Sequence, residues 1–138
     1  MVKILIASHG HFASGLKSAI QILTGMGGKV ETIDAYIDDS DYTLAIRQFV
    51  QQAKADGGVI FTDLVGGSVN QKVLLEVANA PKIIVVSQMN LAIILATLLE
   101  ARPITTEVLD ELISQSQVQR ITVPKTPETT ASDDDFFS

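Results

Sequence analysis

Short β-branched runs alternate with segments of helical periodicity along this chain, and that alternation restricts the fold more than any other feature. The runs are Val2–Ala7, Val30–Tyr36, Val59–Thr62 and Ile83–Val86. The first, third and fourth are almost continuously apolar, as strands covered on both faces are. The second carries more polar residues and suits a place nearer a sheet edge. Between them, Leu16, Ala19, Ile20 and Leu23 recur at three and four residues within Phe12–Met26, and Leu44, Ala45, Phe49 and Ala53 recur within Tyr42–Ala55. Ser40 or Asp41 is placed to cap the second helix, and Gly25–Gly28 to end the first. Strand, helix and strand in succession predict an α/β fold. The expected form is a three-layer, doubly wound, mostly parallel sheet in the order 2-1-3-4, joined by right-handed crossovers.

After the fourth run come two more helical stretches, about Asn90–Glu100 and Pro103–Ser116, divided at Arg102-Pro103. Pro103 is acceptable in a first helical turn. Gln119–Val123 then reads as a fifth short strand. From Pro124 the chain turns to Pro, Thr and Asp without periodicity. Residues 1–123 are accordingly expected to form one domain and 124–138 a disordered acidic tail.

Composition narrows the function classes. The formal charge of −6 argues against a broad nucleic-acid-binding face. With no cysteine, disulfides and thiolate metal sites are excluded. The apolar run after Met1 is too short for a signal peptide, and no run approaches the roughly 20 residues that span a bilayer. A soluble, cytoplasmic protein is the expectation.

In open parallel sheets, ligands bind beyond the carboxyl ends of the strands, where strand order reverses. The residues just after each run are therefore informative. The first run ends in Ser8-His9-Gly10-His11, which holds both histidines of the chain. The third ends in Asp63, followed by Leu64–Asn70, and the fourth in Ser87–Asn90. The order 2-1-3-4 sets His9 facing Asp63 across the crevice. An aspartate beside an imidazole fixes the tautomer and leaves the other ring nitrogen as nucleophile or base. Gly66, Gly67 and Ser68 open a helix whose first N–H groups suit an anion. Nucleophile, orienting carboxylate and amide cradle together suggest phosphoryl transfer. Gly10, His11 and Asn90 belong on the pocket rim. Two other arrangements use the same residues: a metal held by His9, His11 and Asp63, or a hydrolase triad completed by Ser8 or Ser68. The first is opposed by the divergence of residues two apart at a strand end, the second by the absence of G-x-S-x-G.

The segments ILIASHGHFASGL, VIFTDLVGGSVN and SQMNLAIILATL resemble, in register over about Met1 to Val123, the enzyme IIA domain of the mannose-type sugar phosphotransferase system. That resemblance implies a phosphocarrier whose active histidine, matching His9, takes a phosphoryl group from phospho-HPr and passes it to enzyme IIB. The aspartate bonded to that histidine matches Asp63, and the Gly-Gly-Ser turn that binds phosphoryl oxygens matches Gly66, Gly67 and Ser68. It also implies a homodimer exchanging the last strand, here Gln119–Val123, contact with membrane components only through partners, and no metal or other cofactor. The IIB domain is expected on a separate polypeptide. Where an enterobacterial member carries two tryptophans, this chain has His11 and Val65, so the rim differs. A phosphotransfer subunit of a dihydroxyacetone kinase, which shares the domain, and a non-catalytic phospholigand-binding module are the alternatives.

Overall fold

The computed structural model describes residues 2–125. Four strands, β1 (Lys3–His9), β2 (Val30–Ala35), β3 (Gly58–Thr62) and β4 (Ile83–Val86), form one sheet. Its order is β2-β1-β3-β4 and every pairing is parallel, as the alternation predicts. The helices are α1 (Phe12–Thr24), α2 (Tyr42–Ala53), α3 (Ser68–Glu76), α4 (Leu91–Leu99) and α5 (Thr106–Gln115).

The strand pleat explains the continuous apolar runs. Successive side chains point to opposite faces. Ile4, Ile6, Val59 and Phe61 join Ile20 of α1, Ile94 of α4 and Leu109 of α5 in one buried cluster. Leu5, Ala7 and Ile60 join Ile46 and Phe49 of α2 and Val69 and Val73 of α3 in the other. The central strands β1 and β3 serve both layers at once. The more polar β2 lies at an edge.

Local signals set most boundaries. Asp41, not Ser40, caps α2, its carboxylate accepting the Thr43 N–H at 3.0 Å. The last helix starts later than Pro103, because Thr105 supplies the cap and accepts the Val108 N–H at 3.2 Å. Pro103 lies in the connector before it.

Gln119–Val123 departs from expectation. It forms no strand within the chain, and Val118, Ile121 and Val123 stand 94%, 72% and 83% exposed. A strand exists only through a paired neighbour, and neither edge of this chain's own sheet takes the segment up. Most of the region read as a tail, 126–138, lies outside the described residues.

Candidate functional site

The parallel order brings the carboxyl ends of β1, β2 and β3 side by side, and the polar residues gather there. His9 ends β1. Its backbone N–H donates to Asp63 Oδ2 at 2.8 Å, and its ring Nδ1 lies 2.7 Å from the same oxygen. The Leu64 N–H donates to the other carboxylate oxygen at 3.0 Å. Burial alone would push the Asp63 carboxyl up. The hydrogen bonds from His9, the charge of its ring and the Leu64 N–H outweigh that and hold it below its ordinary value. An ionised Asp63 accepts only, so in the neutral imidazole Nδ1 carries the proton and Nε2 keeps its lone pair. The His9 side chain is 44% exposed.

Nε2 faces the start of α3, with Ser68 Oγ 3.3 Å away. Gly66 has φ +74°, a left-handed turn that carries the chain from β3 into the helix. The Gln71 side chain fastens that turn by donating to the Gly66 carbonyl at 2.9 Å. At Gly67, the N-cap, an added Cβ would stand 3.6 Å from His9 Cε1, so the backbone passes close to the ring. The N–H groups of the first turn of α3 have no intrahelical acceptor, and the helix presents its positive end to the space beside Nε2. Behind the turn, the Thr62 hydroxyl donates to Asn70 Oδ1 at 2.9 Å and lies 2.6 Å from Ser87 Oγ. This buried cluster ties α3 to β3 and to the end of β4.

The two histidines diverge. His11 is the N-cap of α1, and its Nδ1 lies 3.1 Å from Asp34 Oδ2, a carboxylate that also accepts the Ser14 N–H at 3.0 Å. Burial pushes the Asp34 carboxyl up, but the bonds from Ser14 and His11 bring it below its ordinary value. His11 therefore turns toward β2 while His9 turns toward β3. Among the described residues, no three metal-ligating side chains converge. Gly10 forms the turn between the histidines, with φ +57° and its N–H donating to the Ala35 carbonyl at 2.8 Å. Asn90 lies beyond β4. It caps α4 by accepting the Ile93 N–H at 2.8 Å and donates to the Ser116 carbonyl at 2.7 Å. Ser8 is fully buried, its hydroxyl accepting the Ala13 N–H at 2.7 Å, which occupies it as a support of α1.

Two site residues escaped the sequence reading, Asp34 and Tyr36. Tyr36 follows β2 with φ +67°, a conformation that costs a non-glycine residue about 1–2 kcal/mol. Its ring stacks on that of His9, with centroids 5.3 Å apart and planes at 28°. Its hydroxyl lies 2.8 Å from Ser68 Oγ and 3.0 Å from the Tyr42 hydroxyl. In its ionised form the Tyr36 oxygen can accept from Ser68 first and then from Tyr42, and with the charge of Lys72 this holds its pKa below the ordinary value. The signal was present in the predicted order, since β2 borders β1 and its carboxyl end opens into the same crevice.

Comparison with known proteins identifies the family and the fold. A family model described as the PTS system fructose IIA component (EIIA-man) matches residues 3–117. A Klebsiella pneumoniae protein assigned as a phosphoenolpyruvate-dependent sugar phosphotransferase system (PTS) permease is 28% identical, over 80% of this chain and 82% of its own, with a TM-score of 0.71. The PTS component EIIA of Streptococcus agalactiae is 25% identical, over 84% and 92%, with a TM-score of 0.68. The mannose/sorbose-specific IIA subunit of Enterococcus faecalis, 21% identical over 91% and 98%, shares the fold at a TM-score of 0.80. No curated protein matches the chain. With the family model spanning all four strands and all five helices, the chain belongs to the mannose/fructose-type IIA family, the phosphocarrier components of the sugar phosphotransferase system.

Proposed function

We propose that this chain accepts a phosphoryl group from phospho-HPr on Nε2 of His9 and passes it to enzyme IIB. The observation that carries the reading is the pairing of His9 Nδ1 with Asp63 at 2.7 Å, which leaves Nε2 facing Ser68 and the start of α3. In the forward step the Nε2 lone pair forms a bond to phosphorus. The phosphorus–nitrogen bond of the donor breaks, and its electron pair returns to the donor's ring nitrogen. The His9 ring becomes cationic, and Asp63 offsets that charge through the proton on Nδ1. The first-turn amides of α3 and the Ser68 hydroxyl are positioned to donate to the phosphoryl oxygens. Transfer to IIB reverses these roles, so the cradle must hold the group without favouring it strongly over the transition state. Phe12 at the start of α1, and Leu64 and Val65 just after Asp63, are exposed apolar side chains, and they supply a docking rim for protein partners.

A hydrolase reading has one observation in its favour, the order Ser68–His9–Asp63 in a single hydrogen-bonded line. Family membership favours the carrier. Incubation with phosphoenolpyruvate, enzyme I and HPr, followed by intact-mass measurement, separates the two. The carrier gains one acid-labile phosphoryl group per chain, lost in His9→Ala and kept in His11→Ala. Label retained by His9→Ala, or ester hydrolysis without phosphoenolpyruvate, would overturn the assignment.

We also infer a homodimer. The resemblance implies exchange of Gln119–Val123, and the exposed apolar side chains of that segment, together with the edge of β4, unpaired among the described residues, support it.

A further inference from the structure

We propose that Tyr36 is a positioning residue for the phosphoryl group, its hydroxyl aiming that of Ser68 at whatever Nε2 of His9 bears and its ring shielding one face of the imidazole. This rests on His9 as the phosphoryl acceptor and goes beyond it in naming what controls Ser68.

A serine hydroxyl has one proton and rotates freely, so its neighbours decide where it donates. Ser68 Oγ has two: Tyr36 Oη at 2.8 Å and His9 Nε2 at 3.3 Å. The tautomer set by Asp63 makes Nε2 an acceptor, so Ser68 donates to it. Its oxygen is then free to accept from Tyr36, and the Tyr36 oxygen to accept from Tyr42 at 3.0 Å. Tyr42, Tyr36, Ser68 and His9 thereby form a line in which every hydroxyl donates in one direction. The far end is anchored. Tyr42 is 8% exposed at the start of α2, packs edge-on against Tyr36 with centroids 5.3 Å apart, and lies under the Lys72 ammonium at 4.5 Å.

When Nε2 carries a phosphoryl group it no longer accepts, and the Ser68 O–H turns to donate to a phosphoryl oxygen. With Tyr36 donating into Ser68 and already accepting from Tyr42, Ser68 has no competing direction. The donor is oriented before the group arrives, and such preorganised donors favour transfer. The backbone supports this assignment. At φ +67°, Tyr36 leaves the extended path of β2 and stacks its ring against His9. Strain of this kind persists where the surroundings enforce it, and it clusters at functional positions.

A double-mutant cycle tests the assignment, with uptake of phosphoryl from phospho-HPr as the rate and the thermal midpoint as the control for folding. Tyr36→Phe keeps the ring and removes the hydroxyl. It is expected to slow uptake about fivefold, the effect of one hydrogen bond, with little change in thermal midpoint. In a Ser68→Ala background the same substitution is expected to have no further effect. Equal slowing in both backgrounds, or none in either, would overturn the assignment while leaving wild-type label on His9, and with it the carrier reading, intact. A wild-type chain that takes up no phosphoryl group would overturn both.

Discussion

At the scale of the residue, the site depends on one carboxylate. Asp63 accepts from the His9 backbone, the His9 ring and the Leu64 N–H, and its side chain is only 9% exposed. Its folded pKa is therefore held below the ordinary 3.8, so the unfolded chain binds a proton more readily than the folded one. By linkage, stability from this group is fully present above about pH 4 and is lost as pH falls through the lowered folded value. Asp34, held down by Ser14 and His11, adds to the same slope. Thermal midpoints measured between pH 6 and 3 are expected to fall, and the fall to be shallower in Asp63→Asn. Identical pH profiles for the two proteins would contradict the role given to this carboxylate. The pairing of His9 and Asp63 was legible because both residues end apolar runs that the α/β pattern makes neighbours. Tyr36 was not, because nothing in the spacing of Val30–Tyr36 signals that the backbone leaves the strand one residue early, into positive φ.

Elements meet at the turn before α3, which carries the chain from a buried strand to an open helix start. Gly66 holds φ +74°, and a Cβ there would touch nothing within 4 Å, so the whole cost of Gly66→Ala is backbone strain. That cost is about 1 kcal/mol, or a midpoint lowered by roughly 3–5 °C. Gly15 offers the contrast. It is exposed inside α1, with equally open space around it. Gly15→Ala is expected to stabilise by about 0.5–1 kcal/mol, because alanine loses less freedom on entering a helix. Paired thermal melts check the difference in sign; a shared sign would contradict the reading of the turn. Helix periodicity located α1 and α2 because their apolar stripes are regular, and it placed the start of the last helix too early. The deciding residue there is Thr105, whose hydroxyl satisfies the N–H of Val108, a cap that apolar spacing does not register.

For the whole molecule, the order β2-β1-β3-β4 places the strand that ends in His9 in the interior, with a packed layer on each side. Rigid layers keep His9 and Asp63 in register while the loops beyond them remain open to partners. This architecture was the most legible feature, since the apolar runs of β1 and β3 need cover on both faces and only crossover helices provide it. The fifth strand was legible as a β-branched segment but not as a pairing. Propensity shows that Gln119–Val123 can extend, and only a neighbouring edge makes it a strand. If a second copy supplies that edge, sedimentation equilibrium at micromolar concentration will report two chains. Replacing Ile121 and Val123 together by Asp will then shift the mass toward one chain. A wild-type protein that sediments as one chain would contradict the exchange.

The central claim is that Asp63 occupies one nitrogen of His9 and leaves the other to carry the phosphoryl group. Heteronuclear NMR of histidine-labelled protein, phosphorylated through HPr, reads that claim directly. The account predicts phosphorus coupling at Nε2 of His9, with Nδ1 still protonated and bonded to Asp63. Coupling at Nδ1 of His9, or at either nitrogen of His11, would contradict it.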